Sequence, residues 1–285
     1  MDSASGGQFV VVATPLGNLG DLSPRAVGLL ASADAVYCED TRHSLTLFQA
    51  NNIEIFGRLH SLHEHNEAER CEEVIDRVRR GETVVLVSDA GTPGISDPGA
   101  RVVAALADAG LPVTTAPGPS AVIAALSISG LPTDRFVMEG FVPRKRGERD
   151  DLYEVWAREP RTIVAYESPQ RLAATLVELA EKFPQRRAAV ARELTKIHEE
   201  VWRGTVAELA ERASSSDVIG EIVLMLAPAE APVAVDDDTV RAALREQLDA
   251  GASTRDAAAF VAATFGLAHR HAYELALSLR RDDNR

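Results

Sequence analysis

Five short stretches carry residue types and spacings suited to gripping a small molecule. The first is Thr14-Pro15-Leu16-Gly17-Asn18-Leu19-Gly20-Asp21, directly after an apolar run. The second, Ser88 to Gly99, packs three glycines, two prolines and two aspartates into twelve residues. The third is Ala116-Pro117-Gly118-Pro119-Ser120-Ala121, and the last two are Tyr166-Glu167-Ser168-Pro169 and Arg192-Glu193-Leu194-Thr195-Lys196. Glycine lets backbone approach a ligand closely, proline stiffens the loop, and backbone N–H and C=O groups left free can read a flat heterocycle. None of these loops is a G-x-G-x-x-G dinucleotide fingerprint, and no G-K-[ST] phosphate loop is present. Capping a helix is the plainer role for Ser120, and it leaves room for a second role at a ligand.

Ionisable side chains at strand ends are candidates for acid–base work, although surface ion pairs look the same in sequence. Glu167, Glu193 and a deprotonated Lys196 are the candidate bases. The run Cys38-Glu39-Asp40-Thr41-Arg42-His43-Ser44 and the histidines His60 to His65 carry no H-E-x-x-H or short Cys/His spacing, so no metal site is expected. Cys38 and Cys71 read as buried small hydrophobes, and two cysteines make no disulfide framework.

The elements that must hold these loops follow from periodicity. Phe9 to Ala13, Ala35 to Cys38, Thr83 to Val87 and Pro112 to Ala116 read as buried strands, with helices between them. Ser23-Pro24 offers an N-cap, and Cys71, Val74, Ile75 and Val78 form a helical stripe ended by Gly81. This describes an α/β domain over 1–130 with a largely parallel sheet, whose ligands bind at the carboxyl ends of its strands. A second α/β domain over 131–228 has strands expected at Arg135 to Met138, Thr162 to Tyr166, Ala188 to Ala191 and Glu221 to Leu226. Ser168-Pro169 there caps a helix whose Leu172, Leu176 and Leu179 share a face. Ala227 to Asp238 reads as a linker, and 236–285 as a small all-α module of helix-turn-helix type. Its alanine-rich interior points to docking on a neighbour.

The 285 residues are 46% hydrophobic and 26% charged, with a formal net charge of −13. That composition excludes disorder as the main state and argues against a protein that coats bare nucleic acid. Between Phe141 and Arg203, however, 13 basic residues meet 11 acidic ones, so a polyanion would be met in the middle of the chain. Arg144-Lys145-Arg146 is the densest basic cluster, and it precedes Gly147 in what reads as a mobile arm. No apolar run is long enough to span a membrane and the start lacks a signal-peptide shape, so a cytoplasmic location is expected.

Taken in order, these loops, together with His65-Asn66-Glu67 and Glu139-Gly140-Phe141-Val142-Pro143-Arg144-Lys145, resemble the ribosomal RNA small subunit methyltransferase I family, a branch of the tetrapyrrole methylase superfamily. The resemblance runs from about Val10 to Leu226 and extends to the helical tail. Gln170, where that family more often has His, and Leu45, where it has a basic residue, depart from the pattern.

The resemblance implies a two-domain tetrapyrrole-methylase-like fold with S-adenosylmethionine in the interdomain cleft. It also implies 2′-O-methylation of a cytidine in the decoding region of 16S rRNA within the 30S subunit, and a homodimer. Pro15, Leu16, Gly91, Thr92, Ile95, Ser120, Ala121 and Tyr166 are the implied donor contacts. Phosphates would be met by Arg144, Lys145 and Arg146, with Arg171, Arg192, Lys196 and Arg42. Two other functions compete: methylation of a tetrapyrrole or protein side chain, and a non-catalytic RNA-binding role in ribosome assembly. Neither suits the sequence as well, because a small substrate needs no basic arm and a pure binder gives the Ser88–Gly99 loop no purpose.

Overall fold

The computed structural model describes residues 6–229 and 236–282; of the last three of these, only the backbone is described. Two compact units result, Met1–Pro228 and Ala229–Arg285. Of the linker expected at 227–238, residues 230–235 lie outside the described residues, and Asp236 to Asp238 form the cap and start of a helix.

In the larger unit, the first sheet holds β1 (Gln8–Val12), β2 (Ala35–Cys38), β3 (Leu59–Ser61), β4 (Thr83–Leu86) and β5 (Val113–Ala116), all parallel in the order β3-β2-β4-β1-β5. Continuous apolar runs make β1, β2 and β4 because both of their faces are covered, whereas the edge strands β3 and β5 are only partly buried, so the buried strand expected at Pro112 to Ala116 is an edge strand with Thr114 and Thr115 exposed. One face packs Val10, Val12, Val36 and Val85 against α1 (Pro24–Ser32) and α2 (Thr41–Ala50). The other packs Phe9, Tyr37, Val84 and Leu86 against α3 (Glu67–Arg79) and α4 (Ala100–Asp108). Ser23 caps α1 as its sequence predicts, accepting from the Ala26 N–H.

The second sheet is mixed: β6 (Phe136–Phe141), β7 (Thr162–Glu167), β10 (Ile222–Leu226), β8 (Arg187–Arg192) and β9 (Glu200–Thr205), in that order, with only β6 and β7 parallel. Its residues alternate between faces. Ile163, Ala165, Ile222 and Leu224 meet α6 (Arg146–Trp156), α7 (Pro169–Lys182) and α8 (Val206–Ser214). Val164, Ala189, Val223 and Met225 meet α5 (Ala121–Ser129), which descends from the first sheet. Packing α5 and Leu16 onto the second sheet joins the two halves under one groove.

The smaller unit comprises α9 (Asp237–Asp249), α10 (Thr254–Phe265) and α11 (His269–Asp282). The alanine-rich sequence predicts little core, but Val240, Leu244, Val261, Leu275 and Leu279 are buried around Ala257 and Ala276, because alanine lets the larger side chains interlock at short range. Among the described residues no helix is long and apolar enough to cross a membrane.

Candidate active site

The loops on the carboxyl side of the first sheet are fastened to one another. Thr14 and Gly91 exchange both backbone hydrogen bonds, at 2.8 and 3.0 Å, and the Thr14 hydroxyl donates to the Ser88 carbonyl at 3.0 Å. The Thr92 hydroxyl donates to the Pro119 carbonyl at 3.1 Å, which links the second loop to the third. Gly91 has φ +82°, and a Cβ there would lie 3.2 Å from Leu16 Cδ2, so the position combines a left-handed backbone with close packing. The expectation that this loop reads a heterocycle with free backbone is corrected at Gly91, whose N–H and C=O are spent on Thr14.

A further motif finds its role at the other end of the loop. The carboxylate of buried Glu67, on α3, accepts from the N–H groups of Gly99 and Arg101, both at 2.9 Å. It caps α4 from outside because Gly99 has no side chain to do so. Asn66 holds the preceding turn by accepting from the His63 N–H at 2.8 Å.

Between the two halves of the larger unit lies a cavity of about 400 Å³, within the size range of small-molecule sites. Leu16, Gly91, Thr92, Ile95, Ser120, Ala121 and Tyr166 line it, so seven of the eight residues that the family resemblance implies as donor contacts meet at one place. Pro15 does not; it is buried outside the lining. Asp89, Ala90, Ser96, Asp97, Phe141, Leu194 and Gly220 to Val223 also line the cavity, and sequence reasoning misses their individual roles, although Asp89 to Asp97 fall within the glycine-rich second loop. Phe141 is 59% exposed and packs on Tyr166 with ring centroids 5.2 Å apart. The register shift between Met138 and Phe141 turns it toward the cavity. Ser120 stands at the α5 N-cap but makes no capping hydrogen bond, so its hydroxyl and the first-turn N–H groups of α5 stay available.

The three bases suggested by sequence are all occupied. Glu167 is buried: its carboxylate accepts from the Ser168 N–H and the Thr175 hydroxyl, each at 2.6 Å, and pairs with Arg171. Glu193 accepts from Lys196 Nζ at 2.9 Å and from the Glu221 N–H at 3.0 Å; these bonds hold its carboxyl below the usual glutamate range. Burial alone would lower the Lys196 ammonium, but its hydrogen bonds to Glu193 and Glu221 outweigh that and hold it above the ordinary lysine value. A deprotonated Lys196 is therefore ruled out as the resting form. Its stem instead braces the first loop: a Cβ at Gly17 would collide with Lys196 Cγ.

Two of the arginines expected at RNA are likewise spent within the protein. Arg171 donates to the carbonyls of Val142 at 2.9 Å and Pro143 at 3.1 Å and to the Ser168 hydroxyl, so Ser168 is not the side-chain cap expected of it. Arg192 Nε lies 3.2 Å from Glu200 Oε2, and its guanidinium also reaches the Ile219 carbonyl. Arg42 is exposed in the first turn of α2. Arg144, Lys145 and Arg146 are exposed too, but they lead directly into α6, with Lys145 at its N-cap position and Arg146 its first residue, instead of forming a loose arm. Lys145 pairs with Glu148 at 2.9 Å and Arg146 lies 3.8 Å from Asp150. A helix N-terminus is the least favourable end for cations, so stability of α6 does not explain three of them. Cys38 is no nucleophile: burial pushes its thiol up to about 11.

Residues 8–210 match the family model of Tetrapyrrole (Corrin/Porphyrin) Methylases. Among solved structures with the same fold, uroporphyrin III C-methyl transferase from Thermus thermophilus, complexed with S-adenyl homocysteine, has a TM-score of 0.53 at 23% identity, covering 78% of this chain and 97% of its own. Ribosomal RNA small subunit methyltransferase I of Mycobacterium tuberculosis is 48% identical over 280 residues, 98% of this chain and 97% of that protein. Its counterpart in Synechocystis is 42% identical over 97% and 99%. The chain belongs to the ribosomal RNA small subunit methyltransferase I family, a branch of the tetrapyrrole methylases, and is a methyltransferase.

Proposed function

We propose that the chain methylates the ribose 2′-hydroxyl of a cytidine in the decoding region of 16S rRNA, taking the methyl group from S-adenosylmethionine. The observation that carries this reading is the cavity between the halves, lined by rigidly linked loops on one side and by β7 and β10 on the other. Its residues fit the donor. Leu16, Ala90, Ile95, Ala121, Leu194 and Val223 would wall the apolar faces of the nucleoside. The uncapped α5 N-terminus and the Ser120 hydroxyl would take its polar groups. When bound, the donor supplies a methyl carbon made electrophilic by a sulfonium sulfur, without a metal.

The residues present serve mainly to position, which is where most of the rate of such a transfer arises. Arg144, Lys145 and Arg146 begin three residues beyond Phe141 in the cavity wall and would meet phosphates beside it. With a net charge of −13, such local contacts suit a folded particle, and the 30S subunit in the cytoplasm is the substrate this reading assigns. The homodimer, and the treatment of 1–130, 131–228 and 236–285 as separate domains, belong to the same reading.

Incubating the protein with labelled S-adenosylmethionine and 30S subunits lacking the modification tests it. The expected result is one 2′-O-methylcytidine in the decoding region. Labelling of a tetrapyrrole instead, or of no RNA, contradicts it.

A further inference from the structure

The apolar lining of the cavity is graded from floor to mouth. Leu16, Leu194, Ile222 and Val223 are buried, whereas Phe141 is 59% exposed and Ile95 48%. A phenylalanine ring left largely in water contributes little to folding, because the stabilisation comes from area removed from water. Its presence at the open rim of a cleft therefore calls for an explanation outside the fold.

The backbone fixes the ring in this position. One extra residue in β6 between Met138 and Phe141 shifts the pairing with β7, and Gly140 takes φ +70°, the left-handed conformation suited to such a bulge. A Cβ at Gly140 would lie 3.9 Å from Ser96 Oγ, so the bulge abuts the second loop of the other half. Immediately beyond the ring, the Val142 N–H donates to the Tyr166 carbonyl at 3.0 Å, and Arg171 donates to the carbonyls of Val142 and Pro143. Buried Glu167 holds Arg171 in turn. The buried ion pair thus clamps the segment that presents Phe141. The Tyr166 ring supports Phe141 at an interplanar angle of 51°, and the exposure of Phe141 leaves the rest of its surface open.

At most about 11 Å of chain separate Phe141 from Arg144, the first of the three exposed cations. A nucleotide whose base meets the ring therefore has phosphates within reach of that cluster. A rigid, open π face beside cations is the surface on which an unstacked nucleobase rests. We propose that Phe141 stacks on the target nucleobase and so sets the ribose 2′-hydroxyl against the methyl group of the donor, an assignment that rests on the function proposed above. Donor and substrate then divide the cavity by depth. The buried apolar floor takes the nucleoside of S-adenosylmethionine, and the open rim takes the base turned out of its own stack. Stacking reads a flat face and no hydrogen-bonding edge, so Phe141 fixes position and leaves base identity to other contacts.

Four substitutions, Phe141→Ala, Phe141→Leu, Phe141→Tyr and Phe141→Trp, test the assignment. At saturating S-adenosylmethionine, kcat/KM for 30S subunits lacking the modification should fall roughly 5- to 150-fold in Phe141→Ala, the loss of one base–aromatic stack. Phe141→Tyr and Phe141→Trp should keep most of the wild-type value. Phe141→Leu retains apolar bulk without a π face and should resemble Phe141→Ala. Donor affinity by calorimetry should stay within about threefold of wild type in all four. Melting temperatures should be nearly unchanged, because the ring is mostly exposed. A wild-type kcat/KM in Phe141→Ala overturns the proposal, and so does a Phe141→Leu protein as fast as Phe141→Trp, since bulk alone would then suffice. A roughly tenfold or greater loss of donor affinity in Phe141→Ala also overturns it, because the ring would then wall the donor. Failure of the unsubstituted protein to bind donor or methylate 30S subunits would remove the underlying function itself, an outcome that needs no variant to detect.

Discussion

The two walls of the cavity use charge in opposite ways. On the second-sheet side the carboxylates are matched: Glu167 by Arg171, and Glu193 and Glu221 by Lys196. On the first-sheet side Glu39, Asp89 and Asp97 crowd together, and burial with mutual repulsion holds Glu39 and Asp97 above their ordinary values. One wall spends its charge on holding a shape, and the other keeps charge unneutralised at a cost to the fold. Unneutralised charge in a cleft is a mark of chemistry, and matched charge a mark of architecture.

Substitutions should separate the walls. Arg171→Ala should destabilise the fold by about 3 kcal/mol, read by urea unfolding, since it leaves the buried Glu167 carboxylate without its cation. A loss under about 1 kcal/mol would mean that the matched wall is ordinary surface pairing. Glu67→Ala should cost about 2 kcal/mol by abandoning the Gly99 and Arg101 N–H groups, with Glu67→Gln less affected. Replacing Arg144, Lys145 and Arg146 together by alanine should leave stability and donor affinity nearly unchanged. Methylation of 30S subunits should drop roughly tenfold, with a shallower salt dependence. Smallest is a gain: at pH 7 to 8 Asp97→Asn should melt about 2 to 4 °C higher than wild type. The Asp97 carboxyl is raised in the fold, so its stabilising protonated form is lost as pH climbs through about 6; near pH 4 the gain should disappear.

Much of this architecture is legible in the order of the residues. β1, β2 and β4 show themselves as apolar runs because both faces of their sheet are covered, and glycine and proline density marks the cavity loops. β3, only Leu59-His60-Ser61 and half-buried throughout, carries no pattern to find. β9 is an edge strand with Glu200, Arg203 and Gly204, and its polar composition hides it. The pairing of Glu167 with Arg171 and of Glu193 with Lys196 is available from their i,i+4 and i,i+3 spacing. Glu221, twenty-five residues from Lys196, leaves no such signal, because only the fold brings it there. Asp97 stands out from its loop only in three dimensions, since what distinguishes it is the lack of a neighbouring cation among the described residues.

Calorimetric titration of the purified protein with S-adenosylmethionine tests the central claim most directly. One site per chain with micromolar affinity, lost when Gly91→Val crowds Leu16 and strains the loop, is the predicted result. No heat of binding, or binding indifferent to that substitution, would contradict the claim that this cavity holds the methyl donor.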